Sequence, residues 1–407
     1  MSGFTGGESP PPTTPPSSPV QQRVVRVARL GVGLITAGAA VGVCAALVAA
    51  SSQNQPVAVP ATGPEALAAG ASQEPVTLAF GGNVRFSGAV GTALNDDPSQ
   101  VLRGVAPVLE SADLAVVSLG TAVTDGGSPV PKPDVFRAPA TVFTALRSAG
   151  VDAASMANGH GMDYGVEGLR DSLQAASDLL FPVIGIGTDA DAAYRPFVRT
   201  VNGQRIAILA ATHVADSNLA YGGAATADRP GLASATRTDR LVTAVREARR
   251  TADTVVVFLH WEAEQPHCPT DDQADLAQLL ARAGADVIVG SHVRGLQGGG
   301  YDGSAYVDFG LGNLALSPVS SPEAADSGVL TVTVRGRDVV GSQWHPAVIV
   351  DGLPTLRQGQ AAEEELRRKD SYRGCTGLTA RPAPVGADPA GSEQVVPAGV
   401  VVAPEPN

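Results

Sequence analysis

Between about residue 75 and residue 350, short apolar runs alternate with longer stretches of helical spacing. The runs are VTLAF (76–80), ADLAVVSL (112–119), VDAASMA (151–157), RIAILAAT (205–212), TVVVFLHW (254–261) and DVIVGSH (286–292). Most end in polar or glycine residues, and they read as strands. PATVFTALRSAG (139–150), VEGLRDSLQAASDLL (166–180), RTDRLVTAVREARRTA (237–252) and TDDQADLAQLLARAGA (270–285) repeat their apolar positions at helical spacing. In the last of these Thr270 stands as N-cap, with Asp271 and Asp272 in the first turn. Strands and helices in alternation predict an α/β domain around a largely buried sheet. In such sheets chemistry collects at the strand ends.

The pattern changes at both ends of the chain. Residues 1–22 are rich in Pro, Ser, Thr and Gly, and 1–29 reads as a disordered cytoplasmic tail. The run LGVGLITAGAAVGVCAALVAA (30–50) carries no charge and follows Arg23, Arg26 and Arg29. As a helix it is about 30 Å long, the thickness of a bilayer core. The arginines put the N-terminus in the cytoplasm and the rest outside, which predicts a single-pass cell-membrane anchor. A cleaved signal peptide competes, because Val48 and Ala50 make a small-residue cleavage site, but its apolar core is normally shorter than this run. Residues 51–74 read as a linker off the membrane. Residues 351–378 read as a helical extension, and in AAEEELRRKD (361–370) the i,i+4 pairs Glu363–Arg367, Glu364–Arg368 and Glu365–Lys369 predict a solvated face. Residues 379–407 are rich in Pro, Ala and Val and read as a disordered tail.

Composition narrows the function. Of 407 residues 44% are hydrophobic, enough for a sizeable core, but only 4% are aromatic, so Ala, Val and Leu must build it. A net charge of −12 argues against nucleic acid as a partner, which needs clustered Lys and Arg. Of three cysteines Cys44 lies in the anchor, leaving Cys268 and Cys375 on the outside, where disulfides persist. They form a disulfide or stay as two unrelated thiols.

The strand ends carry the candidate chemistry. In chain order they offer Asn83, Ser118, Asn158 and His160, then His260 with Glu262 and Glu264, then His292 with Arg294. The chain has six histidines, and three fall here. One such histidine is ordinary structure; three at successive strand ends point to one convergent pocket. Composition does not say what that pocket does.

Six stretches, in order and spacing, resemble the bacterial CapA proteins of poly-gamma-glutamate capsule synthesis. They are FGGNVRFSG (80–88), ADLAVVSLGTAVTD (112–125), VFRAPATVFTALRSAGVDAASMANGHGMDYGVEGL (135–169), VVVFLHWEAE (255–264), GADVIVGSHVRGLQGG (284–299) and FGLGNLALS (309–317). That family's domain is related to the calcineurin-like metallophosphatases. The resemblance covers about 75–350 and implies a metallophosphatase-like layered αββα sandwich, preceded here by one N-terminal transmembrane helix.

The departures from the family pattern shape the functional expectation. In the relatives Asp, Asn and His side chains at these loops hold divalent metals. Here the Gly-Asp-Val aspartate is Asn83, Asn-Leu-Glu is Ser118-Leu119-Gly120, the second Asn of ANNH is Gly159, and the last His of GhHpH is Arg294. His160, His260 and His292 remain, as do Asn158, Asp163, Tyr164, Glu264 and Asn313. The three histidines are the catalytic candidates and would hold at most one divalent ion, weakly. Arg294, Asn83, Asn158, Glu264 and Asn313 are the expected substrate contacts. Ordinary roles stand beside these: Asp163-Tyr164-Gly165 capping the helix that starts near Val166, and Asn313 satisfying backbone in a turn. The expectation is an anchored protein of surface-polymer synthesis that binds an anionic polymer, alongside other capsule-export proteins. A metal-dependent hydrolase or transferase acting on such a polymer is the alternative.

Overall fold

Each of the six apolar runs forms a strand, and each of the four helical stretches forms a helix. The computed structural model describes residues 74–214, 222–261, 267–292 and 295–383. Outside them lie the 1–29 tail, the 30–50 anchor, residues 51–73 of the linker, Glu262, Glu264, Arg294 and residues 384–407. Among the described residues no helix is long and apolar enough to cross a membrane.

Two sheets organise the domain. The first has eight strands: β1 (Val76–Val84), β2 (Leu114–Leu119), β3 (Ala153–Ser155), β4 (Val183–Ile184), β11 (Asn313–Ala315), β12 (Asp326–Arg335), β13 (Asp338–Val350) and β14 (Leu353–Leu356). Their order is β14-β13-β12-β1-β2-β3-β4, with β11 also paired to β1. The second has six: β5 (Phe197–Val201), β6 (Gln204–Thr212), β7 (Thr254–His260), β8 (Val287–Ser291), β9 (Gly299–Asp302) and β10 (Ala305–Asp308), in the order β9-β10-β8-β7-β6-β5. The strands that carry the motifs run parallel within each sheet: β1, β2 and β3 in the first, β6, β7 and β8 in the second.

Side-chain alternation along these strands makes the layers. Leu78, Phe80, Leu114 and Val116 share one core with Ile206, Ile208, Val256 and Phe258 from the other sheet. The intervening Ala79, Ala115 and Val117 face outward onto a second core. That core includes residues of helices α1 (Gly88–Asp96), α2 (Thr141–Ser148) and α3 (Gly165–Asp178). Likewise Ala207, Leu209, Val255 and Val257 face α4 (Thr238–Arg249) and α5 (Asp271–Ala283). The result is helix, sheet, sheet, helix. Phe80 and Phe258 meet in the middle layer at 6.2 Å between ring centroids. Each such fully buried side chain contributes about 1.5–3 kcal/mol. Thr270 caps α5, and Gln273 completes a capping box by accepting the Thr270 N–H at 2.9 Å.

The C-terminal part differs from the expectation in three ways. First, the sheet continues past residue 350, because β14 adds a strand to β13. Second, helix α6 (Gly359–Tyr372) is not solvated all round: Glu365 and Lys369 are buried in it. Lys369 turns inward to pair with Asp308, and Glu365 pairs with Arg368, so only Glu363–Arg367 matches the expected exposed pairing, at 3.8 Å. Third, the start of the expected tail is tied down, with Thr379 and Tyr301 exchanging backbone hydrogen bonds. Cys268 and Cys375 are joined by a disulfide with Cα atoms 5.7 Å apart. Beside it His267 stacks on Tyr372 at 4.1 Å. Together these contacts hold α6 against the segments that follow β7 and β8.

Candidate functional site

The carboxyl ends of both parallel strand sets open into one cavity of about 570 Å³. Asn83, near the end of β1, stands in register with Asn313 on β11. His260 ends β7 opposite Ser291 of β8, and His292 follows at once with φ 90°. His160 arrives from the loop after β3. Asn83, His160, His260, His292 and Asn313 all line the cavity. This is the strand-end position at which layered α/β folds place ligands.

Two floor atoms are buried without a hydrogen-bond partner among the described residues: Asn83 Oδ1 and His260 Nε2. The His260 tautomer follows from its neighbours. Ser291 Oγ donates to the Leu259 carbonyl at 3.1 Å, so toward His260 Nδ1, at 3.3 Å, it accepts. Nδ1 then carries the proton, and Nε2 presents a lone pair to the cavity. Burial holds the imidazole well below its ordinary pKa, and the nearby His292, His160, Arg85 and Lys132 push it the same way. The ring also meets His292 edge-on at 4.4 Å.

The opposite wall is a stack. The Arg85 guanidinium lies 4.4 Å from the centroid of Phe136, and His160 meets the same ring at 4.7 Å. Such a cation–π contact contributes about 0.5–1 kcal/mol and helps to hold the guanidinium at the cavity. His160 Nδ1 lies 2.9 Å from Asp163 Oδ2, which also accepts the Phe136 N–H at 2.6 Å. Asp163 therefore holds the His160 and Phe136 loops together. The capping role considered for it is not what it does, since no side chain caps the start of α3.

Asn158, expected among the substrate contacts, is not one of the residues that line the cavity. It is fully buried behind the cavity, donating to the Leu119 carbonyl at 2.8 Å and accepting the His160 N–H at 2.9 Å. Its amide shapes the loop that carries His160. Asn313 lines the cavity, and its amide donates to the Ala324 carbonyl at 3.3 Å. Glu264 and Arg294 lie outside the described residues.

Sequence reading passed over Arg85, Lys132, Asp134 and Phe136. Arg85 had a signal, because it is two residues from Asn83 and directly follows β1. Lys132 sits between Pro131 and Pro133, where no periodicity marks it.

The family model described as "Bacterial capsule synthesis protein PGA_cap" matches residues 77–317. The chain belongs to this family. Asn83, Arg85, Asp134, Phe136, His160, His260, His292 and Asn313 all fall inside the matched span. The chain is 35% identical over 172 residues to "PGA biosynthesis protein CapA" of Bacillus subtilis (strain 168), covering 42% of each protein. It is 30% identical over 214 residues to "Capsule biosynthesis protein CapA" of Bacillus anthracis, covering 52% of this chain and 51% of that one. It is 28% identical over 192 residues to a "Probable polyglutamine synthesis accessory protein" of Mycobacterium tuberculosis (strain ATCC 25618 / H37Rv), covering 45% of this chain and 50% of that one. The chain thus spans about half the length of the curated relatives it matches.

The metal centre implied by the metallophosphatase relationship can be tested on these residues. Among the described residues the donors for a two-metal centre are not assembled. The carboxylate on the cavity wall, among the described residues, is Asp134, which is exposed, while Asp163 is engaged by His160 and Lys132. Among the described residues no group of three or more His, Cys, Asp or Glu side chains is placed to hold a metal ion. Gly120 and Gly159 contribute no side chain. Asn83 Oδ1 and His260 Nε2 are the two atoms whose chemistry suits a single ion.

Proposed function

We propose that this protein is a membrane-anchored, extracytoplasmic component of capsule or cell-surface polymer synthesis, of the poly-gamma-glutamate type. Its cavity holds a segment of anionic polymer and does not run two-metal hydrolysis. The observation that carries this reading is the pairing of two buried acceptors without a partner among the described residues, Asn83 Oδ1 and His260 Nε2, with a cationic wall at Arg85. A buried acceptor left unpaired costs about 1–3 kcal/mol, so a ligand that donates to it recovers that cost. Each unit of a γ-linked glutamate chain offers an amide N–H and a carboxylate. The amide suits the floor acceptors, and the carboxylate suits the guanidinium held over Phe136. Arg294, outside the described residues, is a further proposed anion contact. The uncharged run 30–50 supports the anchor, and assembly with other export proteins follows from that setting.

Calorimetry on the purified protein with γ-linked glutamate oligomers tests the cavity. Arg85→Ala should weaken binding by about ten-fold or more, the equivalent of 1.4 kcal/mol. Added salt should weaken wild-type binding. Binding of two metals per chain, with phosphoesterase turnover lost on His292→Ala, would instead establish the metal-dependent enzyme. A reporter fused after residue 407 tests the anchor; activity confined to the cytoplasm would refute it.

A further inference from the structure

Lys132 is 6% exposed at its side chain, and Asp163 is fully buried. Lys132 Nζ lies 2.5 Å from Asp163 Oδ1. It also donates to the Gly159 carbonyl and sits 3.5 Å from His160 Nδ1. The backbone binds the same two loops, with the Val130 N–H donating to the Asp163 carbonyl at 2.9 Å. Lys132 thus touches three of the five residues from Gly159 to Asp163 while standing behind the cavity wall. An ammonium can only donate, and so can the His160 Nδ1–H. The Asp163 carboxylate serves both, Oδ1 in an ion pair with the ammonium and Oδ2 at 2.9 Å from His160 Nδ1. That division directs the His160 proton to Asp163 and turns its Nε2 toward the cavity.

We propose that Lys132 is a positioning residue for the ligand pocket. By clamping Gly159 and Asp163 it fixes the placement and the Nδ1–H tautomer of His160. A buried ion pair is a costly device for stability alone, and apolar replacements often do as well. Here the pair sits where it sets the geometry of a cavity-lining imidazole, the kind of support that keeps a site's geometry within tolerance. Gly159 leaves its position without a side chain, and the ammonium reaches the bare carbonyl instead.

The inference deepens the polymer-binding reading and in part rests on it, so the test has one arm that needs no ligand. In the unliganded protein, long-range proton–nitrogen NMR should show a single Nδ1–H tautomer of His160. Lys132→Met should lose that signature. Binding of γ-linked glutamate oligomers should weaken about ten-fold or more in Lys132→Met. If Lys132→Met fails to fold, Lys132→Arg decides, since it keeps the charge but not the compact contact with Gly159; it should fold, shift the ring signature and bind more weakly. An unchanged His160 signature in the folded variants overturns the positioning role, whatever the ligand does. Wild-type protein that binds no oligomer overturns the polymer reading and leaves the NMR arm to judge Lys132.

Discussion

The ammonium of Lys369 lies 3.0 Å from Asp308 Oδ2, and both side chains are buried. Lys369 also donates to the Gln297 carbonyl at 2.9 Å and sits 4.5 Å from the Trp344 ring centroid. One residue from the C-terminal helix therefore neutralises a carboxylate at the end of β10. Burial pushes the Asp308 pKa up, and Lys369 opposes it. Lys369→Met should cost about 3–5 kcal/mol, because a buried charge loses its partner. The sign of the pH dependence follows. A carboxyl whose folded pKa is raised favours the folded state while protonated, and that advantage is lost as pH rises from the ordinary carboxylate value through the folded one. Removing Lys369 widens this window. The variant should be closest to wild type in mildly acidic buffer and fall further behind toward neutral pH. Denaturant melts across that range check it, and adding Asp308→Asn should remove the pH dependence.

The sequence made the parallel core legible because those strands are buried on both faces. VVVFL in β7 and VIV in β8 leave no ambiguity of period. It hid the antiparallel extension β12–β14, since β13 mixes buried Trp344 with exposed Val340 and shows no clean repeat. At the site the histidines were legible as strand-end residues. The role of Asp163 was not, because its partner Lys132 is far away in the chain and lies in a proline-flanked loop. The buried side of α6 was hidden for the same reason: Lys369 reads as half of an i,i+4 pair until β10 supplies Asp308.

The Cys268–Cys375 disulfide closes a segment of 107 residues by sequence separation. Closing a loop of that size restricts the unfolded chain, and removing such a bond typically costs about 2–4 kcal/mol. The double Cys268→Ser, Cys375→Ser variant should melt at a lower temperature than wild type, and reduction of wild-type protein should reproduce the shift. Thiol titration of the intact protein should find no accessible thiol from this pair; two free thiols would rule the bond out.

Asn83 and Gly120 are the two cavity positions where a carboxylate can be added most cleanly. Asn83 Oδ1 already points without a partner into the floor, and Asn83→Asp is isosteric. Gly120 has space, because an added Cβ would meet nothing nearer than the Val84 carbonyl at 3.6 Å and His160 Cδ2 at 3.9 Å. Neither change should unfold the protein. Asn83→Asp adds a negative charge to a cavity that takes a polyanion, which should weaken glutamate-oligomer binding by about ten-fold, a 1.4 kcal/mol effect. Asn83→Asp with Gly120→Glu should raise affinity for a divalent cation, because two carboxylates then join His260 Nε2 on the floor. Manganese and zinc titrations followed by calorimetry read this directly. A double variant with no gain in metal affinity would show that the cavity disfavours metals for a reason other than its missing carboxylates.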